Sequence, residues 1–164
     1  MKKFYVKSSK VQGKGCFASR DIKKGEHICF LKGKKIHFEK VKKMYDSGEE
    51  RVGDPLQVTD TYYLNLEKPY VYFNHSCSPN ATIIKKNKLI AIKNINKGEE
   101  IYFDYSLTVN DVDWGPEYID WDMPCRCKSP NCRKVVRPFY KLSKKIKNYY
   151  LKNKWVQDLL LKKR

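Results

Sequence analysis

No stretch of these 164 residues is apolar for long enough to cross a bilayer, which argues against a helical membrane protein. The opening Met1-Lys2-Lys3-Phe4-Tyr5-Val6-Lys7 lacks the apolar core and small-residue cleavage site of a signal peptide, so the chain is expected to stay inside a cell. It has neither the glycine fingerprint of a dinucleotide site nor a Gly-Lys-Ser/Thr phosphate loop. Residues 98–125 hold eight carboxylates without one Lys or Arg, although the net charge is +17. Both flanks are basic, with 21 Lys/Arg against 9 Asp/Glu before that segment and 14 against 1 from residue 126 onward. The acidic segment is expected to meet a cationic partner, and the basic flanks a polyanion such as nucleic acid.

What is present suits a soluble globular protein: 41% of residues are hydrophobic and 32% charged, in a length that allows one domain and a small appendage. Six unevenly spaced cysteines in an intracellular chain read as ligands or buried thiols rather than a disulfide framework. Cys125, Cys127 and Cys132 put three thiols on one short loop, with turns supplied by Pro124 and Ser129-Pro130-Asn131. Structural zinc takes four ligands in a tetrahedron, so one must come from elsewhere. The candidates are Cys16, Cys29, Cys77, His27, His37 and His75, with Cys77 favoured because its turn is already non-helical.

That turn, Asn74-His75-Ser76-Cys77-Ser78-Pro79-Asn80, follows the apolar run Tyr70-Val71-Tyr72-Phe73, which reads as a buried strand. Pro79 turns Ser78 away from helix, and Asn and Ser can bond their own backbone. Earlier, Phe4–Val6 and Cys16–Ala18 flank a turn in which Gly13 and Gly15 permit close backbone approach to a ligand. A strand is expected over 27–31, one short helix over 37–46, irregular chain over 51–60 and a strand over 61–66. Ala81–Ile84 and Leu89–Ile92 flank Lys85-Lys86-Asn87-Lys88 as a basic hairpin. Leu142, Ile146, Tyr149 and Tyr150, then Val156, Leu159 and Leu160, space two amphipathic helices whose apolar faces are expected to pack on the domain.

Four motifs in order resemble the SET domain of protein-lysine methyltransferases and its post-SET zinc motif. They are Gly13-Lys14-Gly15 with Ala18, the Asn74–Asn80 turn, Gly98-Glu99-Glu100-Ile101-Tyr102-Phe103-Asp104-Tyr105, and Cys125-x-Cys127-x4-Cys132-Arg133. The resemblance implies a mainly β fold of the β-clip type, with small sheets, a pseudo-knot, short helices and C-terminal helices. Its organisation would be a SET domain over 1–107, an acidic loop and post-SET zinc segment over 108–137, and a basic helical tail over 138–164. It implies S-adenosylmethionine as methyl donor, held by Gly13, Lys14, Gly15, Cys16, Tyr72, Asn74 and His75. Tyr105 would be the catalytic tyrosine, Tyr63 and Phe103 would face the substrate lysine, and Cys77, Cys125, Cys127 and Cys132 would bind structural zinc. Val71 stands where many members have arginine, and Lys128 and Lys134 where the zinc loop often has glycine.

The reaction so implied is in-line attack of a neutral amine on a sulfonium methyl. Free lysine has a pKa of about 10.4, so a dry aromatic channel must lower it by desolvation. Phenylalanine at 103 implies room for di- or trimethylation. The expected partner is a protein with a basic, lysine-bearing segment, a histone tail above all, guided by Asp111, Asp113, Glu117, Asp120 and Asp122 while the basic surface and tail contact DNA. The nucleus or chromatin, of a host if need be, is the expected location. Alternatives are a ribosomal or host protein as substrate, or an inactive zinc module that binds nucleic acid.

Overall fold

The computed structural model describes residues 2–48, 55–108 and 122–161. In chain order its regular elements are β1 (Phe4–Ser8), β2 (Lys14–Ala18), β3 (His27–Phe30), β4 (Gly33–His37), α1 (Phe38–Asp46), β5 (Pro55–Gln57), β6 (Tyr62–Leu66), β7 (Ala81–Ile84), β8 (Lys88–Ala91), β9 (Met123–Pro124), β10 (Val135–Val136), α2 (Lys144–Lys152) and α3 (Asp158–Leu161). They form small antiparallel sheets: β1 with β2, β9 with β10, and two of three strands in the orders β3-β8-β7 and β4-β6-β5. A mainly β architecture with few short helices is what the turn-rich sequence leads one to expect.

The main core gathers Phe4, Ile22, Leu31, Leu56, Phe73, Ile83, Leu89, Ile101 and Phe103 from nearly every element. β2 is buried on both faces from Gly15 onward, while β8 alternates, with Leu89 and Ala91 inward. A second cluster joins Leu107 to Phe139, Leu142, Tyr150, Val156 and Leu160. Burying each such large side chain is worth roughly 1.5–3 kcal/mol before ordering entropy is subtracted. Helices as short as α2 and α3 need that packing to persist. Ser143 caps α2 by accepting the Ile146 N–H at 3.4 Å. The C-terminal segment is thus docked on the domain.

Three local expectations are corrected. Tyr70–Tyr72 is a 3₁₀ turn, not a strand, closed by bonds from Tyr72 N–H to Pro69 O and Phe73 N–H to Tyr70 O. Its apolar residues divide between the core and an open cleft, so two-fold alternation never applied. Pro55–Gln57 pairs with β6 where irregular chain was expected, because Leu56 and Gln57 are fully buried there. β4 was not anticipated: in Gly-Lys-Lys-Ile-His only Ile36 is buried, too little for a period to show.

Residues 99–105 run between two other segments and bond to both. Ala18 N–H donates to Glu99 O and Ile101 N–H to Cys16 O on one side. On the other, Ser76 N–H donates to Phe103 O, Phe103 N–H to Asn74 O and Ala81 N–H to Tyr102 O. The Asn80 side chain closes the crossing, donating to Glu100 O and accepting from Tyr102 N–H, both at 2.8 Å.

Candidate active site

A cleft of about 680 Å³ opens where the turn after β1, the Asn74 turn and the cysteine loop meet. Its walls are Val11 to Lys14, Val71, Tyr72, Asn74, His75 and Tyr105, with Met123 to Cys127 along one side. The Asn74 amide joins the first two elements, donating to Lys14 O at 3.0 Å and to Glu100 Oε1 at 2.8 Å. Glu100 is a buried carboxylate whose second oxygen accepts from the Ser9 and Tyr102 hydroxyls, each at 2.9 Å. Gly15 lies against that carboxylate, where any Cβ would collide with it. The glycine is there for close approach.

Tyr105 begins a 3₁₀ turn beside the cleft. Its hydroxyl donates to Phe73 O at 2.8 Å, its N–H donates to His75 Nδ1 at 3.1 Å, and its ring packs on Phe103 and His75. Burial holds the His75 pKa at about 4, against the pull of Asp104. The imidazole is therefore neutral, and with Nδ1 accepting, its proton sits on Nε2, 3.3 Å from Cys77 Sγ.

Asp104 is fully buried and accepts both Arg133 terminal nitrogens at 2.6 Å and the Tyr150 hydroxyl at 2.9 Å. Burial alone would raise its pKa, but the guanidinium outweighs that and holds the carboxyl below its ordinary range. Arg133 also donates to Ser106 Oγ at 3.1 Å. One carboxylate thus ties the cysteine loop, the Tyr105 turn and α2 together.

β9 and β10 close the base of the cysteine loop, with Cys125 N–H donating to Lys134 O at 2.7 Å. The ligand atoms of His75, Cys77, Cys125 and Cys127 all lie within 4.8 Å of one another. Cys77 and Cys125 are 3.7 Å apart, the edge of a tetrahedron with metal–sulfur bonds of about 2.3 Å. Backbone N–H groups aim at the sulfurs, from Arg133 to Cys77, Cys77 to Cys127 and Lys134 to Cys132. Such donors are typical partners of metal thiolates. Desolvation opposes ionisation across the cluster, pushing Cys77 up to about 11 and raising Cys125 as well, whereas at Cys127 the Cys77 N–H and Ser129 overcome it and draw the pKa to about 6. The donor set fits zinc. The tight cluster holds His75 in the place that was expected for Cys132. Cys132 lies within hydrogen-bonding reach of Cys125, with the Lys134 N–H aimed at its sulfur.

Of the residues expected at the methyl donor, Gly13, Lys14, Tyr72, Asn74 and His75 line the cleft. Gly15 and Cys16 do not; Cys16 is fully buried and its thiol donates to Pro69 O at 3.6 Å. Phe103 sits behind Tyr105 in the core, also off the cleft. Tyr63 is buried with Ile36 and Val41 and stands opposite Gln57, whose N–H reaches Thr108 O just after the Tyr105 turn. Among the acidic residues, Asp111, Asp113, Glu117 and Asp120 lie outside the described residues, and exposed Asp122 pairs with Arg137 at 3.2 Å. The sequence reading missed the roles of Glu100, Asp104, Arg133 and Tyr150. The signal for Asp104 was a carboxylate between Phe103 and Tyr105, which in an apolar run demands a partner.

The chain spans only about 2–6% of the length of the first curated relatives it matches. Histone-lysine N-methyltransferase trr of Drosophila melanogaster is 32% identical over 145 residues, which cover 79% of this chain and 6% of that protein. The variant-silencing SET domain-containing protein of Plasmodium falciparum is 30% identical over 149 residues, covering 80% and 6%. Among solved structures, ctPRC2 in an autoinhibited conformation bound to S-adenosylmethionine matches with a TM-score of 0.57 at 25% identity, over 67% of this chain and 16% of that one. The SET domain family model matches residues 13–106, which hold the Gly13 turn, the Asn74 turn and Tyr105. With that match spanning more than half its length, the chain belongs to the SET domain family.

Proposed function

We propose that this chain is a protein-lysine N-methyltransferase that uses S-adenosylmethionine to di- or trimethylate a histone tail in chromatin. The observation that carries the reading is the cleft itself, where Lys14, Tyr72, Asn74 and His75 meet Tyr105 in one 680 Å³ space. The names of the relatives and the donor bound in ctPRC2 agree with it.

S-adenosylmethionine supplies an electrophilic methyl on a sulfonium. The chain's own work is binding, orientation and exclusion of water. Asn74, braced by Glu100, holds the wall of the donor site in register with the Gly13 turn. Tyr105, fixed at its hydroxyl by Phe73 O and at its N–H by His75, presents a rigid ring and oxygen to the reacting groups. Keeping amine and methyl in line is worth several kcal/mol without any dedicated base. The di- or trimethyl product is read from the family resemblance at Phe103, a ring without a hydroxyl that packs behind Tyr105. Zinc, held by Cys77, Cys125, Cys127 and Cys132, would pin the loop that walls the cleft. A basic surface is suited to the DNA on which histone tails are presented, which favours the nucleus as the place of action.

The test is transfer of labelled methyl from S-adenosylmethionine to nucleosomes, free histones and a cell lysate side by side, with Tyr105→Phe as control. Labelling of one histone, lost by about 100-fold in the variant, and di- or trimethyl product by mass spectrometry are expected. Labelling confined to non-histone proteins overturns the substrate, and no labelling by folded, zinc-loaded protein overturns the activity.

A further inference from the structure

Residues 81–98 contain no Asp or Glu and five lysines; residues 138–157 contain none and six lysines. The fold brings these distant segments together. Lys85, at the tip of the β7–β8 hairpin, forms a parallel bridge with Gln157, and Asp158 N–H donates to Lys85 O. The Thr82 hydroxyl donates to Trp155 O at 2.9 Å, and the Lys24 ammonium lies over the Trp155 ring at 5.7 Å. α2 has two faces. Tyr150 turns inward to Asp104, whereas Lys145, Tyr149 and Lys152, spaced four and three apart, are exposed on the other side. Tyr149 is 50% exposed and packs its edge on Trp155.

We propose that the outer face of α2 and the β7–β8 hairpin form one binding surface for the phosphate backbone of duplex DNA. A protein partner of ordinary mixed charge would be met by a surface of mixed sign. Here lysines stand over a stretch free of carboxylates, with Asp158 only at its border, which suits a uniformly anionic polymer. Duplex DNA presents one charge per about 1.7 Å, a density that flexible ammonium groups meet as point charges. The proposal deepens the reading of a chromatin-directed enzyme. Its test needs no methyl donor, so it stands or falls apart from the activity.

The zinc-loaded full chain is titrated onto a fluorescent duplex of mixed sequence, with anisotropy read from 50 to 200 mM salt. Each lysine–phosphate contact contributes a slope of about −0.9 to log K against log salt. The triple variant Lys85→Gln, Lys152→Gln, Lys154→Gln, all exposed, is expected to flatten that slope by about 2–3 and weaken binding by about 10-fold or more at 100 mM. Lys34→Gln, Lys40→Gln, Lys43→Gln, on β4 and α1, serves as control and should leave the slope in place. Circular dichroism confirms that both variants fold. Absence of duplex binding, equal losses in the two triple variants, or competition by polyglutamate as strong as by DNA would overturn the proposal.

Discussion

Replacing Arg133 by methionine removes the cation from a pair whose other member, Asp104, has no exposure at all. The Tyr150 hydroxyl and Ser106 N–H remain as donors to the carboxylate, but two neutral donors do not neutralise a buried charge. Breaking a buried pair from one side costs about 3–5 kcal/mol, a large share of the roughly 5–15 kcal/mol that holds a domain folded. At about 2–4 °C per kcal/mol for a chain of this size, thermal unfolding of the zinc-loaded variant should fall by about 6–20 °C. The sign of the effect is checked by Asp104→Asn on the same background. If charge burial is the cause, the double variant carries neither charge and regains part of the stability lost by Arg133→Met alone. A single variant within about 1 kcal/mol of wild type, or a double variant whose losses simply add, would refute the argument.

Gly15→Ala drives a methyl into the Glu100 carboxylate and should cost about 1–3 kcal/mol, read by denaturant unfolding, with weakened binding of S-adenosylmethionine because Asn74 shares that carboxylate. Lys128 and Lys134 hold left-handed φ values of 54° and 66°. The strain of about 1–2 kcal/mol each, less the entropy lost by a more flexible glycine, leaves a gain of about 0.5–1 kcal/mol for Lys128→Gly or Lys134→Gly, a rise of a few degrees in melting temperature. Chelation should loosen the cysteine loop and, because Met123 to Cys127 wall the cleft, weaken methyl-donor binding at the same chelator concentration; affinity unchanged in metal-free protein, measured by calorimetry, would separate the loop from the site.

What could be read from the sequence was the chemistry held in short spacings. The Asn74–Asn80 turn and the three clustered cysteines stood out as polar and thiol groups set beside apolar runs, whereas Tyr105 was read only through the family resemblance. The β7–β8 hairpin and the α2 period were equally plain, being local. Illegible were features that depend on neighbours far along the chain. β5 is a strand only because β6 lies beside it. In β2 every residue from Gly15 on is buried, so alternation could not say that Cys16 faces the core rather than a ligand. Nothing local announces that Tyr150 meets Asp104, 46 positions away.

Those long-range links share one pattern. Glu100 and Asp104 lie on the same crossing segment, and each is a buried carboxylate with partners from other elements. Glu100 gathers Ser9 and Asn74 on the side of the Gly13 turn. Asp104 gathers Arg133 and Tyr150 on the side of the cysteine loop and α2. Tyr105 follows directly, so its position is set by both sets of bonds at once. A surface event on α2, such as occupation of its outer lysines, has a short covalent and hydrogen-bonded route through Tyr150 and Asp104 to that tyrosine. Tyr150→Phe cuts the route at one hydroxyl while leaving the lysines in place. If the route carries an effect, added duplex DNA will change methyl transfer to a free histone peptide in the wild type and not in Tyr150→Phe; an identical response in both would mean that the outer face of α2 acts by tethering alone.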